Sequence, residues 1–395
     1  MKKIISILLL FIFTLSFGTT VFAENEGNNR AEDKPCFYLK TNLEIAQDCG
    51  GLYLCEATTG KVLYAKDEFS SASPASVTKI MTLLLVCEAL EEGRFSLTDT
   101  VRVSANAASM GGSQVFLEEG ERITVEDLIK STVIASGNDS SVALAELTAG
   151  SEAAFVRMMN ERAVELGLKN TKFENTTGLD DTTTDHYSCA ADIATMSREL
   201  IKHEIILKYS SIWQDTIRNG EFTLTNTNRL VRYYDGCNGL KTGSTDKAGF
   251  CISATAKRGN MQLIAVVMGA KTRDERNLIA RTLLDYGFAN YALYEIGEKF
   301  LETTEVRKGT VDEIALYSAP FSCVVEKAKI SKIEQIYDIP EYIVAPISSD
   351  KTIGKIIYKI DGEQIGFSDV YTKEKVDKIG FSELFSRILK RIVCG

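Results

Sequence analysis

Along the 395-residue chain the apolar positions come in blocks of different period. Ile4 to Phe17 is an unbroken apolar run behind Lys2 and Lys3, and Val21-Phe22-Ala23 follows with small residues where a signal peptidase reads. The pattern predicts a secretory signal over 1–23, cleaved after Ala23. The run is shorter than the roughly 20 residues that a membrane-crossing helix needs, which disfavours an uncleaved anchor. Residues 24–35 are polar and predict a flexible leader. Leu52 to Cys55, the turn Thr58-Thr59-Gly60 and Val62 to Tyr64 predict a hairpin. After Pro74-Ala75, the stretch Ser76 to Leu90 is apolar nearly all round, which predicts a helix buried in a large domain. Helical spacing recurs at Val125 to Val133, Asp139 to Thr148, Glu152 to Leu166 and Ala190 to His203. Strands return at Gly249 to Ala256 and Gln262 to Met268, and Asp274 to Tyr286 reads as a closing helix. Strands, then helices, then strands imply an α/β protein of the α+β type whose sheet is assembled from both ends of one domain. From Tyr294 to Tyr371 the pattern is β-rich, clearest in the hairpin Ile356 to Ile360, Asp361-Gly362, Gln364 to Phe367. There is no internal repeat and no low-complexity tract.

Composition narrows the chemistry. The length exceeds one ordinary core, and 45% hydrophobic with 25% charged residues is globular. The formal charge of −9 becomes −11 once Lys2 and Lys3 leave with the signal, so a nucleic acid backbone is not an expected partner. Only His186 and His203 are present, far apart and in no ligand motif, which leaves little material for a zinc site; no metal or cofactor is expected. The nine cysteines are an odd number without paired spacing and read mainly as packing residues, with disulfides open in an exported protein.

Three short motifs carry candidate chemistry: Ser76-Val77-Thr78-Lys79, Ser136-Gly137-Asn138 and Lys241-Thr242-Gly243. No G-x-S-x-G elbow exists, which leaves an α/β-hydrolase triad unsupported. S-x-x-K recurs at Ser244 and Ser348, and S-x-N at Ser104, so spacing alone does not select the site. Ser76 begins the buried helix, where free N–H groups and the helix dipole favour a developing oxyanion. Lys79, three residues on, shares its face and can reach the hydroxyl. A lysine is a poor base near neutrality unless burial and a second cation, here Lys241, depress its pKa. Asn138 can hold a substrate carbonyl or Lys79, and Ser136 can relay a proton. Lys241-Thr242-Gly243 reads as an exposed edge strand beside the nucleophile, with Gly243 admitting a substrate backbone and the Ser244 N–H completing an oxyanion hole with that of Ser76.

These motifs, with Pro74-Ala75 and Ile80-Met81-Thr82, Asp139, Leu166 to Thr171, His186 to Ala190 and Gly239 to Phe250, resemble the serine D-alanyl-D-alanine carboxypeptidases among the low-molecular-mass penicillin-binding proteins. The resemblance runs from about Leu43 to Phe288 and, more loosely, through the β-rich segment. It implies a β-lactamase/transpeptidase-like sheet flanked by a helical cluster and followed by a small β-rich domain. It implies an acyl-enzyme on Ser76 with Lys79 as base, Ser136 and Asn138 as second element, Lys241 and Thr242 as third, and Arg276 binding a carboxylate. The implied substrate is a peptidoglycan pentapeptide stem ending in D-Ala-D-Ala, with β-lactams as inhibitors. Position 244 holds Ser where relatives often carry His or Thr, and Cys189 stands where a small hydroxyl residue or Ala is usual.

The expected domains are 36–292 catalytic, 293–372 β-rich and 373–395 helical. In the last, Phe381, Leu384, Phe385, Ile388, Leu389, Ile392 and Val393 form one stripe with Arg387, Lys390 and Arg391 beside it. Such a helix suits a membrane interface, as in the resembling family, and places the protein peripherally on the extracytoplasmic face of a bacterial membrane. Two rivals are a β-lactamase, disfavoured because Phe173-Glu174-Asn175 lacks E-x-x-L-N and Ser136-Gly137-Asn138 is not S-D-N, and a non-catalytic wall-binding protein, disfavoured because every motif residue is present.

Overall fold

A computed structural model describes residues 49–394, apart from Thr182 and several side chains at the extreme C-terminus. The expected signal and leader lie outside the described residues.

Five antiparallel strands form the central sheet, in the order Val62–Lys66, Gly51–Glu56, Met261–Ala270, Gly249–Arg258, Cys237–Thr245. The first hairpin therefore docks on the last strands, with Leu54 opposite Ala265, as the strand-helix-strand order implies. Alternate residues of Met261–Ala270 face two cores. Ile264, Val266 and Met268 join the helical cluster, while Leu263, Ala265 and Val267 meet the closing helix Arg273–Asn290. A strand covered on both faces has no need of polar alternation, which is why Met261 to Met268 reads as a nearly continuous apolar run.

The helix Lys79–Glu91 runs through the larger core with Ile80 to Cys87 all buried. Each large aliphatic side chain there stabilises the fold by about 1.5–3 kcal/mol relative to exposure. Around it pack Asn138–Ala149, Glu152–Glu165 and Ala190–Leu200. The last of these is capped by Cys189, whose sulfur accepts from the Asp192 N–H at 3.5 Å, so the unusual cysteine performs the task of a hydroxyl. Six cysteines from Cys49 to Cys251 are buried and no disulfide joins any described cysteines, in keeping with packing roles.

Beyond Tyr291 a six-stranded sheet and the pair Tyr291–Ile296 with Phe321–Glu326 build the β-rich domain. Its longest hairpin turns at Asp361 and Gly362, both left-handed (φ 50° and 85°), as a two-residue loop requires. Its core centres on Tyr358 stacked on Phe321 at 3.9 Å. The segment 373–380 belongs to this domain and not to the helix, because Val376 is buried and bridges Ile347. The helix begins only at Phe381 and runs to Cys394. Arg387 holds it to the domain through Asp312 at 2.8 Å and the Thr310 carbonyl, while Phe381 and Ile392 stay 85% and 73% exposed. Among the described residues no helix is long and apolar enough to cross a membrane.

Candidate active site

Ser76 sits one step earlier than the apolar pattern implies, in a tight 3-10 turn over Ala75–Thr78 that feeds the buried helix. Ala75 is forced to φ 46°, a conformation that costs a non-glycine residue about 1–2 kcal/mol, and the turn holds the Ser76 hydroxyl at the floor of a cleft of about 540 Å³. Below it, the fully buried Lys79 places Nζ 2.9 Å from Ser76 Oγ, 2.6 Å from Asn138 Oδ1 and 2.8 Å from the Thr177 carbonyl. An ammonium group donates to all three acceptors. A neutral amine donates to only two and turns its lone pair to the third. With Asn138 and Thr177 carbonyls able only to accept, the lone pair must face the Ser76 hydroxyl. The pKa of Lys79 lies well below the ordinary lysine value, first because burial strips its water and then because Lys241 is a second cation nearby; Asp139 opposes the shift. Asn138, the first residue of its helix, thus holds the lysine by its oxygen, and its amide donates to the Gly111 carbonyl at 2.6 Å.

Ser136 ends a π-turn at Ser131–Ala135 and is itself left-handed at φ 66°, a wide turn that swings its hydroxyl into the cleft. Its Oγ accepts from Lys241 Nζ at 2.8 Å. Lys241 is 1% exposed, and burial followed by the charge of Arg276 lowers its pKa to about 7. The strand Cys237–Thr245 is an edge strand as expected, but it is not exposed: Lys241, Thr242 and Gly243 are all buried, because the Ser76 turn lies against them. Gly243 lines the cleft, and its missing side chain also admits a second close approach. A Cβ there would meet Ser76 N at 2.8 Å, Pro74 O at 2.9 Å and Val77 N at 2.9 Å, so the space belongs to the nucleophile's own backbone. Thr242 and Ser244 line the cleft, with Thr242 Oγ1 donating to Thr227 Oγ1 at 2.8 Å.

Arg276 is 3% exposed yet lines the same cleft from the first turn of Arg273–Asn290. Its guanidinium bonds the Cys251 carbonyl and Asn277 and has no carboxylate ion pair among the described residues, while burial, with Arg273 and then Arg229 adding positive charge and Asp274 opposing, lowers its pKa to about 10. A cation so placed suits a ligand carboxylate.

The structure brings all nine predicted residues to one place, including Ser244, whose own S-x-x-K spacing repeats that of Ser76, and it leaves the other two recurrences elsewhere. Ser104 caps a short helix, and Ser348 lies in the β-rich domain, between the strands Tyr342–Val344 and Thr352–Ile360. Sequence reasoning missed the Thr177 carbonyl, because a backbone acceptor leaves no side-chain signature. It also missed Asp139 as an electrostatic partner, although that residue adjoins the motif, and the cleft residues Ser113, Trp213, Arg229 and Arg273.

Residues 41–272 match the family model described as D-alanyl-D-alanine carboxypeptidase, and residues 288–378 match that described as penicillin-binding protein 5, C-terminal domain. The chain is 42% identical to the D-alanyl-D-alanine carboxypeptidase DacF of Bacillus subtilis over 98% of each sequence. It is 35% identical to the D-alanyl-D-alanine carboxypeptidase DacD of Escherichia coli, over 98% of this chain and 97% of that one. Among solved structures it resembles penicillin-binding protein 5 of Haemophilus influenzae with a TM-score of 0.74 and 31% identity, over 84% of this chain and 98% of that one. It also resembles penicillin-binding protein D2 of Listeria monocytogenes in its ampicillin-bound form, with a TM-score of 0.58 and 29% identity over 63% and 100% of the two chains.

Proposed function

The chain belongs to the D-alanyl-D-alanine carboxypeptidase family, and on that premise we propose that Ser76 is its acylated nucleophile and Lys79 the base that activates it. The protein is a serine-type hydrolase that removes the terminal D-alanine from peptides ending in D-Ala-D-Ala, and β-lactams occupy the same site. The observation that carries the residue roles is the Lys79 amine, buried, with two carbonyl acceptors fixing its lone pair toward Ser76 Oγ.

Neutral Lys79 takes the Ser76 proton as Oγ attacks the carbonyl carbon of the penultimate D-alanine. Backbone N–H groups of Ser76 and Ser244 receive the oxyanion. The proton reaches the departing D-alanine amine through Ser136, which Lys241 orients, and the scissile C–N bond breaks. Water then attacks the ester carbonyl with Lys79 again the base, the bond from the acyl carbon to Ser76 Oγ breaks, and the proton taken by Lys79 returns to Ser76 Oγ. Arg276 and Thr242 hold the terminal carboxylate. Glu174 lies exposed, its carboxylate engaged by the Thr184 and Asp185 N–H groups, and among the described residues that line the cleft there is no carboxylate to act as a second base of the β-lactamase kind. Slow release of a penicilloyl adduct alongside D-alanine turnover is the expected behaviour.

Mass spectrometry after incubation with labelled penicillin tests the assignment. The adduct belongs on the peptide containing Ser76 and is absent from Ser76→Ala; an adduct on Ser244 or Ser348, or one that survives the substitution, overturns it.

Export by the N-terminal signal and attachment to the outer membrane face by the C-terminal helix complete the reading. The exposed apolar stripe from Phe381 to Ile392 supports attachment. Arg387 contributes less charge than its place in the sequence suggests, because Asp312 and Glu383 neutralise it.

A further inference from the structure

Phe116 is the one residue of the run Val115-Phe116-Leu117 that does not enter the core. Val115 and Leu117 are buried, whereas Phe116 is 68% exposed with φ at 56°, a left-handed conformation that is a true outlier for a bulky side chain. Four hydrogen bonds hold it there. Asp139 Oδ2 accepts from the N–H groups of Val115 and Leu117 at 3.0 and 3.1 Å. Arg218 donates to the carbonyls of Val115 and Phe116 at 2.9 and 3.0 Å. Arg218 is itself left-handed at φ 54°, so two strained segments from separate loops are joined to present one aromatic ring. The ring meets the edge of Phe222 at 6.3 Å, and the Arg218 guanidinium covers Phe222 at 5.5 Å while Glu121 neutralises its charge.

Chain connectivity keeps this pair near the catalytic cleft, although neither ring lines it. Ser113 and Thr225 both line the cleft, and each lies three residues from one ring, a reach of at most about 10 Å. The loop is also keyed to the site itself, since Asn138 donates to the Gly111 and Ser113 carbonyls. The cleft has room for the two D-alanines and their neighbours, whereas the natural substrate is a peptide carried on a polymer that must leave over a rim.

We propose that Phe116 is a specificity-determining residue that contacts the peptide and sugar beyond the two D-alanines, with Asp139 and Arg218 as the residues that position it. The exposed ring and its partner Phe222 offer an apolar face to methyl groups and to the C–H faces of sugars, and strain of this kind persists where the surroundings fix it for use. The inference rests on the carboxypeptidase reading and extends it to substrate choice.

The test compares D-alanine release from two probes, diacetyl-L-lysyl-D-alanyl-D-alanine and a disaccharide pentapeptide. For Phe116→Ala, kcat/KM for the long probe should fall about three- to tenfold, as for loss of one aromatic contact, while that for the short probe changes less than about twofold. Phe116→Tyr, which keeps the ring, should restore the preference. Parallel losses on both probes, no loss on either, or a loss that tyrosine fails to rescue would overturn the proposal. If the wild-type protein releases no D-alanine from either probe, the activity itself is refuted and the rim contact falls with it.

Discussion

Lys79, Lys241 and Arg276 are 0%, 1% and 3% exposed in the catalytic domain, whereas Phe381, Phe385 and Ile392 are 85%, 54% and 73% exposed on the C-terminal helix. The first region buries what proteins usually keep in water, and the second leaves in water what they usually bury. The cations are tolerated because each finds oxygen acceptors, and burial disfavours their charged forms and drives their pKa values down. The helix has no such internal remedy. Arg387 fastens one edge of it to the β-rich domain and leaves the apolar stripe uncovered. In both regions the proposed reading assigns the unsatisfied property to an external partner, a peptide carboxylate in one and an apolar interface in the other.

The sharpest way to break this contrast is at the buried amine. Lys79→Ala should lower the rate of acylation by penicillin at least about 10²-fold, the usual loss on removing a general base, with thermal unfolding still cooperative. Acylation near the wild-type rate would mean that the amine is buried for structure alone. Arg276→Ala should follow in size, lowering kcat/KM for a peptide ending in a free carboxylate by roughly ten- to hundredfold, as for loss of a charge-assisted hydrogen bond. The corresponding C-terminal amide should lose little further, and equal losses on both peptides would refute the carboxylate role.

The pH dependence sharpens the same region. Lys79 is a base only when neutral, so acylation falls as pH drops through its pKa, and a lowered pKa extends activity toward acid. Lys241 is the second cause of that lowering after burial. Lys241→Met should therefore raise the Lys79 pKa and move the acid limb of the acylation profile to higher pH, besides reducing its height through the lost bond to Ser136. A limb that stays in place while the height falls would leave Lys241 a structural role only.

How much of each region the sequence reveals follows from which atoms do the work. The Ser76 to Lys79 spacing and the single K-T-G are side-chain signals, and both lead to residues that the fold brings together, as the all-apolar run leads to the helix beneath them. The 3-10 turn at Ala75–Thr78, the Thr177 carbonyl and the outward turn of Phe116 are backbone facts that no side-chain pattern encodes. Gly243 is recognisable in the sequence as a site of close approach, but the contact it makes with the Ser76 turn is not. In the second region the apolar stripe is plain in the sequence, while the pairing of Arg387 with Asp312, 75 positions earlier, depends on the tertiary fold.

The smallest effect on chemistry is expected from the largest cut. Deleting Phe381 to Gly395 removes a stripe whose large side chains each gain about 1.5–3 kcal/mol on full burial, of which an interfacial helix realises only part. Cations beside the stripe add about 1 kcal/mol each near an anionic surface, and Arg387, already paired, adds least. The β-rich core is complete without the helix, because Val376 closes it before Phe381 begins. The truncated protein should therefore stay folded, move from the membrane fraction to the soluble fraction and release D-alanine from a soluble peptide at nearly the full rate. Sedimentation with membranes despite the deletion would place the attachment elsewhere, and unfolding would mean that Arg387 and its neighbours support the domain rather than aim the helix.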